Sequence, residues 1–184
     1  MTLCSGGYVI PYYHPAALAF RVMQLDHMAQ GRYICGLAAG ISPVDLGLLN
    51  LDASSGVHRE MFAEAVEILI KLWTEHVGHE WEYDGQCWTV KNGGPMPPLG
   101  SPHIEPYTRP HPKVAISAVS PGSSTARLAG NHGFRLNSIL LGNSHLHTHR
   151  DAYTDVAEGR QLHRQGRLEH RSGRVRRRDR CRST

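Results

Sequence analysis

The 184-residue sequence has no apolar run approaching the ~20 residues that span a bilayer, and no charged stretch leading into a hydrophobic one at its start. A membrane-spanning chain and a secreted precursor are therefore not expected, and a cytoplasmic protein is. Cysteine is scarce and scattered: Cys4, Cys35, Cys87 and Cys181 include no C-x-x-C pair. That argues against a disulfide scaffold and against a cysteine-based zinc site. Gly-x-Ser-x-Gly, P-loop and Gly-x-Gly-x-x-Gly motifs are missing too, so hydrolase, nucleoside-triphosphatase and Rossmann readings lack support. The length suits one ordinary domain but falls short of the roughly 250 residues of a complete (β/α)8 barrel.

Charge is uneven. Residues 1–150 carry ten Lys/Arg against eleven Asp/Glu, and residues 151–184 carry ten Arg against five Asp/Glu, so the whole excess of the net +4 belongs to the tail. From Gln161 onward apolar residues are few and runs such as Arg174-Val-Arg-Arg-Arg-Asp-Arg180 dominate. Three readings stand open: a nucleic-acid-binding arm, which is the least favoured, a solvated disordered end, or out-of-frame translation of GC-rich DNA. The chain divides accordingly into a domain over 1–155 and a tail over 156–184.

The remainder reads as alternating strands and helices. Tyr8-Val9-Ile10 is the end of a buried strand closed by Pro11. Pro15–Gln30 is a helix, with proline in its first turn, Leu18, Val22, Leu25 and Ala29 on one face, and Gly31 as its stop. Tyr33–Ala38 is a short apolar strand, followed by a loop from Gly40 to about Ser55. His58–Trp73 is the clearest helix, with Glu60 and Glu64 near its positive end and Glu67–Lys71 as an i,i+4 pair. Trp81–Tyr83 and Trp88–Val90 flank the two-residue turn signal Asp84-Gly85, a hairpin inserted at the surface. Seven prolines in residues 92–112 mark a long irregular connection. Lys113–Ala118, Ser123–Asn131 and Phe134–Leu141 then read as strand, helix and strand. This alternation predicts a parallel α/β sheet with right-handed crossovers.

Few residues carry chemistry on their own. Val119-Ser-Pro-Gly-Ser-Ser-Thr125 follows a strand and opens a helix, where backbone N–H groups, the helix dipole and hydroxyls suit a phosphate. A serine N-cap that needs no ligand explains the same residues. Gly6-Gly7 is a glycine pair at a strand start or a close approach of backbone to a ligand. His58 and Arg59 anchor the loop before their helix or line a barrel mouth. His145, His147 and His149 alternate as metal ligands on an extended segment can, but no acid stands in register, and no metal is expected. Glu60 and Glu64 are helix-end electrostatics before they are acid–base catalysts. No catalytic residue stands out.

Several of these segments, in order, resemble a known family. Val9-Ile-Pro-Tyr-Tyr-His-Pro15, Leu25-Asp26 and Gly31-Arg32-Tyr-Ile-Cys-Gly-Leu-Ala-Ala-Gly40 are similar to the bacterial-luciferase-like flavin-dependent monooxygenases, nearest the limonene- and alkanal-monooxygenase-like members. The similarity runs on through His58-Arg-Glu60, Glu67-Ile-Leu69, Leu72-Trp-Thr74, the hairpin and Pro112–Leu128, and covers roughly residues 5–155.

The resemblance implies an α/β fold, a partial (β/α)8 TIM barrel of about the middle four βα units with both ends of the barrel absent. A chain so truncated is expected to be inactive sooner than efficient. The implied reaction inserts one atom of molecular oxygen into a small apolar substrate such as a terpene or aldehyde. Reduced FMN would come from a separate flavin reductase, and the full-length family forms homodimers. A deazaflavin-dependent oxidoreductase is the alternative. Gly6 and Gly7 align with a non-proline cis peptide under the flavin ring. Val119, Ser120, Gly122, Ser123 and Ser124 align with the phosphate site, and His14 with a position that fixes its turn or touches substrate. Ala38-Ala39 stands where luciferase has Cys-Arg, so that arginine's contact is missing, an apolar wall takes its place, and light emission is not expected.

Overall fold

The computed structural model describes residues 1–75, 79–100, 104–120, 123–139 and 146–159. Along them the chain runs β1 (Leu3–Cys4), β2 (Tyr8–Val9), a 3-10 turn over Ile10–Tyr12, α1 (Pro15–Met28), β3 (Tyr33–Ala38) and α2 (Pro43–Leu48). It continues with α3 (Val57–Thr74), β4 (Trp81–Asp84), β5 (Thr89–Asn92), β6 (Lys113–Ala118), α4 (Ser124–His132), β7 (Arg135–Ser138) and a last helix, α5, over 146–159. Pro15 heads α1 because its missing N–H would find no intrahelical partner there, and the helix ends where Gln30 and Gly31 turn left-handed.

The strands β1, β2, β3, β6 and β7 form one parallel sheet in the order β1/β2–β3–β6–β7, each neighbour following the last along the chain. Parallel strands added one after another, with helices between, build the wall of a (β/α)8 barrel, and these four positions make a partial one. The central strands β3 and β6 are nearly all buried, as parallel strands covered on both faces must be.

The first strand position is broken. From Cys4 to Tyr8 the chain advances four residues while its partner β3 advances three, from Ile34 to Leu37. One residue is therefore extra, and the strand bulges at Ser5-Gly6-Gly7. Gly7 absorbs the bulge at φ 148°, a conformation that side chains resist. The Ser5 hydroxyl accepts the Gly36 N–H at 2.8 Å and pins the bulge to β3. The cis peptide expected at Gly6-Gly7 is not formed: the cis bonds among the described residues precede Pro98 and Pro110. The bulge supplies the local change of direction instead.

The outer layer differs from expectation in instructive ways. The loop expected over 40–55 contains α2, capped by Ser42, whose hydroxyl accepts the Asp45 N–H, with Pro43 in the first turn. In the hairpin, Asp84 pairs with Thr89, so the connection is residues 85–88 and not a two-residue turn. Nor is the hairpin a detached insertion. Trp81, Tyr83 and Trp88 pack against the main core, and Val90 belongs to it. Glu64 is more than helix-end charge: its carboxylate accepts the backbone N–H groups of Gln86, Cys87 and Trp88 at 3.0–3.2 Å. Glu67 and Lys71 also face the hairpin instead of each other. Glu67 accepts the Tyr83 hydroxyl at 3.1 Å, and the Lys71 ammonium sits 4.9 Å from the Trp81 ring. Behind them α1 packs on α3 through Leu18, Val22, Leu69 and the buried Trp73, whose indole donates to the Ala19 carbonyl at 3.3 Å. Buried Asp26 accepts both the N–H and hydroxyl of Thr108, which ties the proline-rich connection to α1. The last strand ends at Ser138, short of the expected Leu141, and Leu140 and Leu141 lie outside the described residues, as does the arginine-rich tail.

Candidate functional site

At the C-terminal ends of the parallel strands lies a cavity of about 590 Å³, a size suited to a small-molecule or cofactor site. Val9, Ala38, Val119 and Ile139, at or just past the ends of the four strand positions, all line it. This is the end of a β/α barrel where ligands bind, because the strand-to-helix loops converge there.

The cavity gathers residues from distant parts of the chain. The Gly6-Gly7 bulge and Ala38-Ala39 give it an apolar wall, and Val119, Ser120, Ser123 and Ser124 give it a polar one. Gly122, expected among the latter, lies outside the described residues. The serines are not equivalent. Ser123 is buried and caps α4: its hydroxyl accepts the Thr125 N–H at 3.3 Å and donates to the Thr125 hydroxyl at 2.6 Å, which in turn donates to the Ser117 carbonyl. Its side chain is thus engaged by its own loop. Ser120 and Ser124 are exposed and line the cavity; at the head of α4 Ser123 takes the Thr125 N–H on its hydroxyl and the Ala126 and Arg127 N–H groups on its carbonyl, which leaves the Ser124 N–H as the first-turn donor this cap does not meet.

Across the cavity stands the head of α3. Its N-cap is Gly56, which has no side chain to cap with, and the helix's positive end brings His58 and Arg59 to the cavity wall. Arg59 is the one Lys/Arg and Asp45 the one carboxylate among the described lining residues. His58 is 4% exposed, and its Nδ1 has no hydrogen-bond partner. Burial, and secondarily the Arg59 charge, hold its pKa below the ordinary histidine value.

The family model for luciferase-like monooxygenases matches residues 1–171. The chain belongs to the luciferase-like monooxygenase family. A 3,6-diketocamphane 1,6-monooxygenase of Pseudomonas putida is 27% identical over 171 residues, 82% of this chain and 43% of that protein. A limonene 1,2-monooxygenase of Rhodococcus erythropolis is 28% identical over 134 residues, 73% of this chain and 31% of its own length. Among solved structures, the oxygenating constituent of 3,6-diketocamphane monooxygenase from Pseudomonas putida in complex with FMN superposes with a TM-score of 0.74 at 24% identity, covering 86% of this chain and 44% of that one. An F420-dependent secondary alcohol dehydrogenase superposes at 0.67 and 19% identity, over 86% and 45%. This luciferase-like chain thus spans under half the length of these relatives, in keeping with its partial barrel.

Within this luciferase-like chain, the cavity collects every described residue expected at the site except His14. That side chain caps α1, accepting the Ala16 N–H at 3.3 Å, and lies edge-on to Trp88 at 5.6 Å. It fixes its turn and is not among the cavity's lining residues. The alternating histidines are not an extended trio either, because residues 146–159 are helical and a two-residue step there puts His147 and His149 on opposite faces. His147 is exposed, His149 is buried, and His145 lies outside the described residues. His58 and Arg59, which the sequence left between loop anchor and barrel mouth, line the cavity. The signal that finds them is their place in the first turn of a helix whose N-cap is a glycine.

Proposed function

We propose that this chain is the flavin-holding part of a flavin-dependent monooxygenase, which uses reduced FMN and molecular oxygen to oxygenate a small apolar substrate such as a terpene or aldehyde. Residues 1–155 would hold the site, α5 carries the fold four residues past that bound to 159, and the remainder to 184 would be a tail outside it. The observation that carries the reading is a single cavity with an apolar wall facing two helix N-termini, one bearing a buried histidine with an orphan Nδ1 beside an arginine.

FMN fits this donor set. Its phosphate suits the head of α4 with Ser120 and Ser124, joined by Gly122, Arg59 and His58, since helix N-termini and arginine are both anion partners. Its ring suits the bulge at Gly6-Gly7 and the methyl groups of Ala38 and Ala39. Bound in reduced form, the flavin supplies the reaction with oxygen; the chain's own residues bind and orient it and keep water out. The absence of charge at Ala38-Ala39 favours a hydrocarbon over an anionic sulfonate. A separate reductase as the source of reduced flavin is supported by the description of the Pseudomonas putida relative as an oxygenating constituent. A deazaflavin is the second reading, favoured by the likeness in fold to the F420-dependent dehydrogenase.

Titration of the purified chain with oxidised FMN, reduced FMN and a deazaflavin, followed by fluorescence and thermal melting, tests both. Saturable FMN binding that raises the melting temperature, and that weakens in Arg59→Ala, is the expected result. Preference for the deazaflavin would replace the cofactor, and no saturable binding of either would remove the proposal.

A further inference from the structure

We propose that His149 is a positioning residue for the phosphate-binding side of the cavity, a role that rests on the flavin reading above. His149 lies on α5, outside the cavity, and is only 1% exposed. Its Nε2 is 2.7 Å from the Ser120 carbonyl oxygen and its Nδ1 is 2.8 Å from the Ser138 hydroxyl. A carbonyl has no hydrogen to give, so Nε2 carries one and donates, and in the neutral ring the Ser138 hydroxyl donates to Nδ1. One imidazole therefore joins three segments that the sequence keeps apart: the loop after β6, the end of β7, and α5.

Two of those segments are cavity wall. Ser120 lines the cavity directly, and Ser138 immediately precedes Ile139, which also lines it. The Ile139 N–H donates to the Ala118 carbonyl at 3.0 Å, so the two strand ends are already adjacent and His149 closes the third side. The direction of the Ser120 bond matters for an anion. By drawing that carbonyl toward α5, His149 keeps its lone pairs away from the ligand. A Ser120–Pro121 peptide free to rotate would turn the carbonyl oxygen inward, and Pro121 has no N–H to offer in exchange. His149 is buried, so its imidazole is tolerable only because both of its nitrogens are bonded. The arrangement thus acts on the phosphate through the Ser120 backbone, without touching the ligand.

The test compares FMN with riboflavin, which lacks only the phosphate, in the unmodified 184-residue chain and in His149→Leu, His149→Gln and His149→Asn. Glutamine carries a donor near the Nε2 position, whereas asparagine reaches only the Nδ1 position. His149→Leu is expected to raise the FMN dissociation constant about tenfold, the scale of one lost buried hydrogen bond, and to leave that of riboflavin within about twofold. His149→Gln is expected to restore most of the preference for FMN, and His149→Asn to restore little. If His149→Leu does not fold, the Gln-against-Asn comparison decides alone. Equal weakening of both flavins, or equal behaviour of Gln and Asn, overturns the role and leaves the cofactor reading standing. Wild-type chain that binds neither flavin overturns the cofactor reading and this inference with it.

Discussion

The hairpin side and the cavity side of the molecule differ in what their polar groups meet, although each holds one buried side-chain nitrogen without a hydrogen-bond partner among the described residues. Beneath the hairpin nearly every polar group is matched: Glu64 takes three backbone N–H groups, Glu67 takes the Tyr83 hydroxyl, and Trp88 donates to the Met61 carbonyl at 3.1 Å. Burial and the Glu67 hydrogen bond push the Tyr83 hydroxyl up to about 12, so it stays a neutral donor across the ordinary pH range. The Trp81 Nε1 is the unmatched group there, in the same ring that receives Lys71 on its face. At the cavity His58 keeps an orphan Nδ1, the head of α3 is met by the Ser55 hydroxyl, which accepts the Val57 N–H at 3.3 Å, and Gly7 holds a conformation side chains avoid. An unmatched buried polar atom costs about 1–3 kcal/mol. The hairpin side is where hydrogen bonds tie the fold together, and the cavity side is where the proposed function places its ligand.

The comparison breaks if the two sides respond alike to substitution. The largest effect is expected at Trp73, buried between α1 and α3, where Trp73→Ala should cost about 4 kcal/mol in urea unfolding and can abolish the cooperative transition. Glu64→Ala should come next, at about 2 kcal/mol, because three backbone donors lose a charged acceptor. Amide exchange should accelerate at residues 86–88 while flavin binding changes little; a loss of binding equal to the loss of stability would dissolve the distinction between the sides. On the cavity side, Gly7→Ala should cost about 1–2 kcal/mol in strain, since its φ of 148° is maintained only by a glycine. Unlike Glu64→Ala, it should also weaken flavin binding, because the new methyl group lies against Ala38 and Ser117 at the wall.

The smallest change in stability sharpens the comparison most. His58→Leu removes an orphan, so it should raise stability at neutral pH by about 1 kcal/mol while lowering FMN affinity. The sign with pH follows from the depressed pKa. The neutral ring suits the fold, so its contribution is complete above the unfolded value of about 6.5 and is lost as pH falls below that value through the lower one in the fold. Wild-type chain should lose stability over that window relative to His58→Leu. Parallel pH profiles for the two proteins would show that His58 is not the group responsible.

Much of this was legible in the residues. Strand and helix alternation follows from short apolar runs set against helix-period stripes, and that pattern survives in the parallel sheet. The cavity wall was legible because glycines, alanines and serines stand next to strand ends, where local sequence and barrel geometry coincide. What stayed hidden depends on contacts made across long separations. Glu67 and Lys71 have helical spacing for a pair, yet aromatic rings 10–16 positions away claim both. The bulge at Gly6-Gly7 is a mismatch against β3, and no single strand reveals a mismatch. Alternate histidines share a face only on an extended segment, and the helix over 146–159 separates His147, which is exposed, from His149, which is buried. The short α2 was missed although Ser42-Pro43 is a sound helix start, because Gly47 interrupts a helix of only six residues.

The central claim, that the cavity at the strand ends holds a flavin, is tested most directly by crystals of the chain grown with FMN. The account predicts difference density in the cavity, with the phosphate within hydrogen-bond reach of Ser124 and of Arg59 or His58, and the ring against Ala38 and Ala39. An empty cavity at saturating FMN, or flavin bound elsewhere on the chain, would contradict it.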